Sequence, residues 1–142
     1  MRANKPLILG ITGGVGSGKS EAARYLSTLG AVHVDADAIS HALTAPGGEA
    51  LPAIREAFGD RVFRADGTLD RRALGEMVFQ DVAARRALEA IIHPRVQHRA
   101  LSMVDQAGAE GAEVVLLDVP LLFETGMDAL CNETWVLSAD PE

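Results

Sequence analysis

Apolar residues are arranged along this chain in two different ways. Near both ends they form short, nearly unbroken runs: Leu7 to Thr12 first, then Val114 to Asp118 and Thr134 to Leu137. Unbroken apolar runs of that length predict strands buried on both faces, as in a parallel sheet. Another short strand is expected over Ala31 to Val34, ending in Asp35-Ala36-Asp37. Between the first two runs, Ala22, Leu26 and Leu29 recur at helical spacing. They predict a helix from Lys19 to Leu29, with Gly30 just past its C-terminus. Strand, glycine-rich loop, helix and strand together read as a βαβ unit.

The middle of the chain follows the other pattern. "AISHAL" is helical and runs into the breaker "TAPGG"; Leu51, Ile54 and Phe58 mark a helix that Gly59 stops. "RADGT" reads as a turn, and Asp70 is placed to cap a helix carrying Leu74 and Val78. Asp81 is placed to cap the next, through Leu88, Ile91 and Ile92, which His93-Pro94 is expected to break. A long helix with Val96, Ala100 and Val104 then follows. Strands at both ends and helices between them predict an α/β nucleotide-binding core, residues 1–37 and 111–142, with a helical insertion over 38–110.

Composition narrows the function classes. The chain has 142 residues, 48% hydrophobic and 23% charged, enough for one soluble domain with a sizeable core. No window approaches the roughly 18 consecutive apolar residues of a membrane span. The basic start and short apolar run end in glycines and a lysine, so they read as a first strand and not as a signal peptide. Net charge is −7, and the cations cluster no further than pairs such as Arg71-Arg72 and Arg85-Arg86, which disfavours a nucleic-acid partner. Cys131 is the only cysteine; no internal disulfide is possible, and a reducing cytoplasm is expected. The thiol itself reads as a small buried hydrophobe, and Met77, Met103 and Met127 as core filler.

The strongest chemical signal is Gly13-Gly14-Val15-Gly16-Ser17-Gly18-Lys19-Ser20, a complete G-x-x-x-x-G-K-[ST] between a strand and a helix. Glycines let successive backbone N–H groups turn around a phosphate without Cβ clashes, and the helix N-terminus adds its dipole. Lys19 is expected on the β- and γ-phosphates of ATP, and Ser20 on Mg2+. Asp118 ends the run "VVLLD", where a carboxylate would complete the Mg2+ shell; a strand-terminal Asp can equally cap a helix. Asp35 and Asp37 sit at the carboxyl end of the second strand, where open α/β sheets bind ligands. One of them is expected to cap the following helix and the other to align an attacking hydroxyl on the γ-phosphate. His93 with Pro94-Arg95 reads either as a packing or capping residue or as a group facing a phosphate-bearing substrate. His33, His41 and His98 show no partner pattern and read as surface or packing residues.

"GITGGVGSGKS", "VDADAISH", "DGTLDRRALGEMVF", "IIHPRV" and "LLDVPLLFE" together resemble the dephospho-CoA kinase family in order and spacing, over nearly the whole chain. The phosphate loop alone is generic; the later motifs make the resemblance specific. It implies a P-loop kinase core with a helical CoA-binding region and a mobile lid, and ATP-dependent phosphorylation of the ribose 3′-hydroxyl of dephospho-CoA, the last step of coenzyme A synthesis. Asp37 matches the family's catalytic base. Arg72, Leu74 and His93 match the region receiving the acceptor, beside Asp35, and Pro120, Leu121 and Glu124 of "PLLFE" line the same cleft. Glu21, beside the nucleotide, stands where the family usually has Ser or Thr; an acid there suits the helix dipole. "VLSADPE" falls where the family continues into a lid helix with arginines, then a strand and helix. The chain as given is therefore expected to lack the lid and to be a poor catalyst. The expected partner is dephospho-CoA, with neither nucleic acid nor membrane, in a monomer or weak homo-oligomer. The rival readings are a small-metabolite kinase of the shikimate or gluconate type, or an ATP-binding fragment without turnover. The shikimate type carries a glycine triplet where this chain has "LLDVPLLFE". The absence of an Asn-Lys-x-Asp segment argues against a GTPase.

Overall fold

A computed structural model describes residues 5–13, 18–119, 122 and 126–137. The apolar runs form strands β1 (Leu7–Gly13), β2 (Val32–Asp35), β3 (Val114–Asp118) and β4 (Glu133–Leu137). They pair in the order β2-β3-β1-β4, every pair parallel. The central strand β3 has Val115, Leu116 and Leu117 buried in succession, as a strand covered on both faces requires.

The chain divides into two compact units, residues 1–37 with 97–142 and residues 38–96. The first holds the sheet and helix α1 (Lys19–Thr28), which packs on β1, β2 and β3. Leu9, Ile11, Ala23 and Leu116 form a core cluster, with Ala22, Leu26 and Leu137 packed against it. Leu29, expected on the same stripe, is the capping residue and is exposed. Gly30 (φ +100°) follows in the left-handed region that an L side chain resists. Its N–H donates to the Ser27 carbonyl at 3.1 Å and that of Ala31 to Leu26 at 3.2 Å, so the helix ends in a Schellman motif.

The second unit contains most of α2 (Ala36–Thr44), then α3 (Leu51–Phe58), α4 (Arg71–Gln80) and the first half of α5 (Val82–Ala109). Ile39, Leu43, Ile54, Phe58, Val62, Leu69 and Leu74 are buried there. Between α3 and α4 the turn over 64–68 closes through the Arg64 N–H donating to the Thr68 carbonyl at 2.8 Å. The Thr68 hydroxyl and N–H both donate to Asp66, at 2.6 and 3.0 Å, and hold its carboxyl below the ordinary carboxylate range. Asp70 accepts the Ala73 N–H at 3.1 Å and caps α4, and Asp81 accepts the Ala83 N–H at 2.9 Å ahead of α5.

The structure differs from the sequence reading at Pro94. The expected break does not occur: α5 runs continuously from Val82 to Ala109 with Pro94 inside it. Proline removes the N–H that would reach Ala90, but the Arg95 guanidinium donates to the adjacent Ile91 carbonyl at 2.8 Å. The turns beyond it are held by Val96, Ala100, Val104 and Ala107, all buried at helical spacing. The division between the two units falls within α5, between Val96 and Gln97. Of the methionines read as filler, Met127 is buried but Met103 is 36% exposed.

Candidate functional site

Gly18 sets the geometry at the start of α1. Its φ of +86° lies in the left-handed region, and its carbonyl accepts the Ala22 N–H at 2.9 Å as α1 begins. Lys19 and Ser20 are the first two residues of that helix, and Glu21 lies in its first turn, an acid where the dipole favours one. Ser20 and Glu21 are exposed, while the Lys19 side chain keeps only 18% exposure.

Strand pairing decides what Lys19 meets. β1 and β3 pair with Ile11 opposite Asp118, and β2 and β3 pair with Asp35 opposite Asp118. The carboxyl ends of three parallel strands are thus level, with Asp118 on the middle one. Its carboxylate, 12% exposed, lies between two partners. Oδ1 is 2.8 Å from Lys19 Nζ, and Oδ2 is 3.0 Å from His33 Nε2. The Lys19 contact is an ion pair without the angle of a directed hydrogen bond, so buried Oδ1 is satisfied by charge alone among the described residues. A carboxylate this far from water depends on that ammonium: removing either partner strands a charge at a cost of about 1–3 kcal/mol or more.

Asp35 and Asp37 separate into the two roles open to them. Asp35 Oδ1 accepts the Asp37 N–H at 2.9 Å, capping α2 from the residue before it. Asp37 stands in the first turn of α2 with an exposed side chain.

Among the residues expected to receive an acceptor, all three in the second unit have defined surroundings. Arg72 points to solvent, 3.9 Å from Glu76 one turn on. Leu74 is buried and lines a recess of about 220 Å3 with Ser40, Thr44, Arg71, Val78 and Ile92. His93 is half-buried on α5. The cation at the recess is therefore Arg71, which donates to the His41 carbonyl at 3.5 Å, and not Arg72. Gly13 closes β1, whereas Gly14, Val15, Gly16 and Ser17 of the loop, Pro120, Leu121 and Glu124, and the "SADPE" end lie outside the described residues. Leu122, within "PLLFE", is fully buried.

The residue missed by sequence reasoning is His33. Its signal was present: it stands two positions before Asp35, and strand residues i and i+2 share a face. What the sequence did not supply was β3 as the neighbour, which places Asp118 against that face.

Comparison with known proteins follows the same lines. Residues 7–142 match the family model described as dephospho-CoA kinase (CoaE). The chain is 48% identical over 135 residues to a dephospho-CoA kinase of Symbiobacterium thermophilum, covering 95% of this chain and 56% of that protein. It is 52% identical over 118 residues to one of Aromatoleum aromaticum, covering 83% and 56%. The chain thus spans just over half the length of these relatives. Among solved structures, TT1252 from Thermus thermophilus superposes with a TM-score of 0.79 at 35% identity, covering 96% of this chain and 68% of that one.

Proposed function

The chain belongs to the dephospho-CoA kinase family, and on that premise we propose that its protein transfers the γ-phosphoryl group of ATP to the ribose 3′-hydroxyl of dephospho-CoA, giving coenzyme A and ADP. The observation that carries the reading is the nearly buried Lys19–Asp118 pair at the level carboxyl ends of β1 and β3, directly after the left-handed Gly18.

Lys19 binds the β- and γ-phosphates and offsets the charge that gathers there as the phosphoryl group passes. Gly13 to Gly18 supply backbone N–H groups to the phosphates, and the start of α1 adds its positive dipole end beside Glu21. Asp118 and Ser20 fit Mg2+: one is a nearly buried carboxylate whose Oδ1 has no directed hydrogen bond among the described residues, the other a hydroxyl next to Lys19. When bound, the ion neutralises phosphate oxygens and holds them in line for transfer. Asp37, free of the capping duty that Asp35 performs, accepts the hydrogen bond of the 3′-hydroxyl and aligns it on the γ-phosphorus. The new O–P bond forms as the bond to the β-phosphate oxygen breaks, and the hydroxyl proton passes to Asp37. We assign acceptor binding to Arg72, Leu74 and His93 of the helical unit, and to Asp35, Pro120, Leu121 and Glu124. We place the protein in the cytoplasm; no described helix is long and apolar enough to cross a membrane.

The test is ADP release by the full-length protein with dephospho-CoA, shikimate, gluconate or no acceptor. Release confined to dephospho-CoA is expected. Equal release in all four would overturn the assignment, and a preference for shikimate or gluconate would move it to another small-metabolite kinase.

A further inference from the structure

Three side chains on β2 and β3 form a group in which His33 has no part in the proposed phosphoryl transfer. A His33 ring nitrogen, an Asp35 carboxylate oxygen and an Asp118 carboxylate oxygen all lie within 4.8 Å of one another. We infer that His33, Asp35 and Asp118 form a binding site for a first-row transition-metal cation of the Zn2+ or Co2+ class, occupied without nucleotide. The inference shares Asp118 with the kinase reading but does not depend on it.

Geometry comes first. Two donors bound to one cation at about 2.0–2.2 Å lie about 3.0–3.5 Å apart. His33 Nε2 and Asp118 Oδ2 are 3.0 Å apart, so the hydrogen bond between them already has the spacing of a coordination edge. The donors are carried by adjacent parallel strands of one unit, paired with Asp35 opposite Asp118 and His33 opposite Leu116. Backbone ladder bonds thus hold the donor-bearing positions in place before any ion arrives. Asp35 is held once more, because its Oδ1 accepts the Asp37 N–H at the start of α2.

Donor chemistry and charge select the class of ion. An imidazole nitrogen with two carboxylates suits Zn2+, Co2+ or Mn2+, whereas Mg2+ takes oxygen donors and keeps its waters. Two carboxylates outnumber the Lys19 ammonium at the site, which favours a cation. Coordination replaces the His33–Asp118 hydrogen bond, with the imidazole proton on Nδ1 and the Nε2 lone pair on the metal. Three protein donors leave positions open to water or an anion.

The site is tested on the full-length, nucleotide-free protein by titrating Co2+ and following its visible absorption, with Zn2+ and Mg2+ as competitors. One Co2+ per chain is expected, displaced by Zn2+ but not by equal Mg2+. His33→Ala should weaken binding at least about tenfold, the lower end of what even partners of a metal ligand contribute. Asp35→Asn keeps a capping oxygen for α2 and should weaken binding similarly. Thermal melting of both variants checks that they remain folded. No saturable Co2+ binding, or full-affinity binding by folded His33→Ala, overturns the site. Because no ATP or acceptor is present, a failed kinase assay leaves this result untouched, and the reverse also holds.

Discussion

Asp118 carries two partners on one carboxylate, Lys19 on Oδ1 and His33 on Oδ2, at 12% exposure. Its neighbour across the ladder, Asp35, spends an oxygen on the Asp37 N–H, which leaves Asp37 as the exposed acid of the pair. Asp37→Asn in the full-length protein should therefore lower kcat by about a hundredfold or more while changing ATP affinity little. Steady-state kinetics beside direct ATP binding reads the two effects separately; an unchanged kcat would reduce Asp37 to a helix-end acid. Cys131 makes a different prediction. Burial first, and the Asp128 carboxylate second, push its thiol up to about 11 from an ordinary 9.0. The thiol lies against Gly10, where an added Cβ would sit 2.5 Å from Sγ, so β1 has glycine at that point for space. A raised value keeps the thiol protonated below it. Iodoacetamide at pH 8 should accordingly label the native protein about a hundredfold more slowly than the urea-unfolded chain. Equal rates would contradict the buried setting.

At the scale of elements, helix ends were legible because their chemistry is local. Gly30 and Gly59 follow helices as expected, and Asp70 and Asp81 each accept a backbone N–H where one was expected to. Asp70→Ala should cost about 1 kcal/mol in urea unfolding, with Asp70→Asn closer to wild type, since asparagine still offers a capping oxygen. Equal losses in the two would mean that charge, not the hydrogen bond, supports α4. Pro94 was misread because its local signal is disruptive. The unfavourable turn is offset by the Arg95 side chain and by the buried Val96, Ala100, Val104 and Ala107 beyond it, and neither is visible in a dipeptide.

For the molecule as a whole, the order β2-β3-β1-β4 turns separate motifs into a site. The motif over residues 13–20 starts at the end of β1, Asp35 ends β2 with Asp37 just beyond it, and Asp118 ends β3; only parallel pairing in this order brings these positions to one end of the sheet. The division at Ala38 and Val96 gives the helical unit its own core around Ile54, Phe58 and Leu69.

By itself the sequence determined the strands, the βαβ unit and the helix caps, and it suggested the helical insertion, the phosphate loop and the roles of Lys19, Asp37 and Asp118. Each rests on spacing within a few residues, where side-chain period, capping and backbone freedom act. Tertiary structure alone decided that α5 passes through Pro94, that Arg71 lies at the recess while Arg72 faces solvent, and that His33 reaches Asp118. These depend on which strand or helix lies alongside. Such neighbours are chosen by burying apolar faces and pairing strand edges, and they join residues distant in sequence.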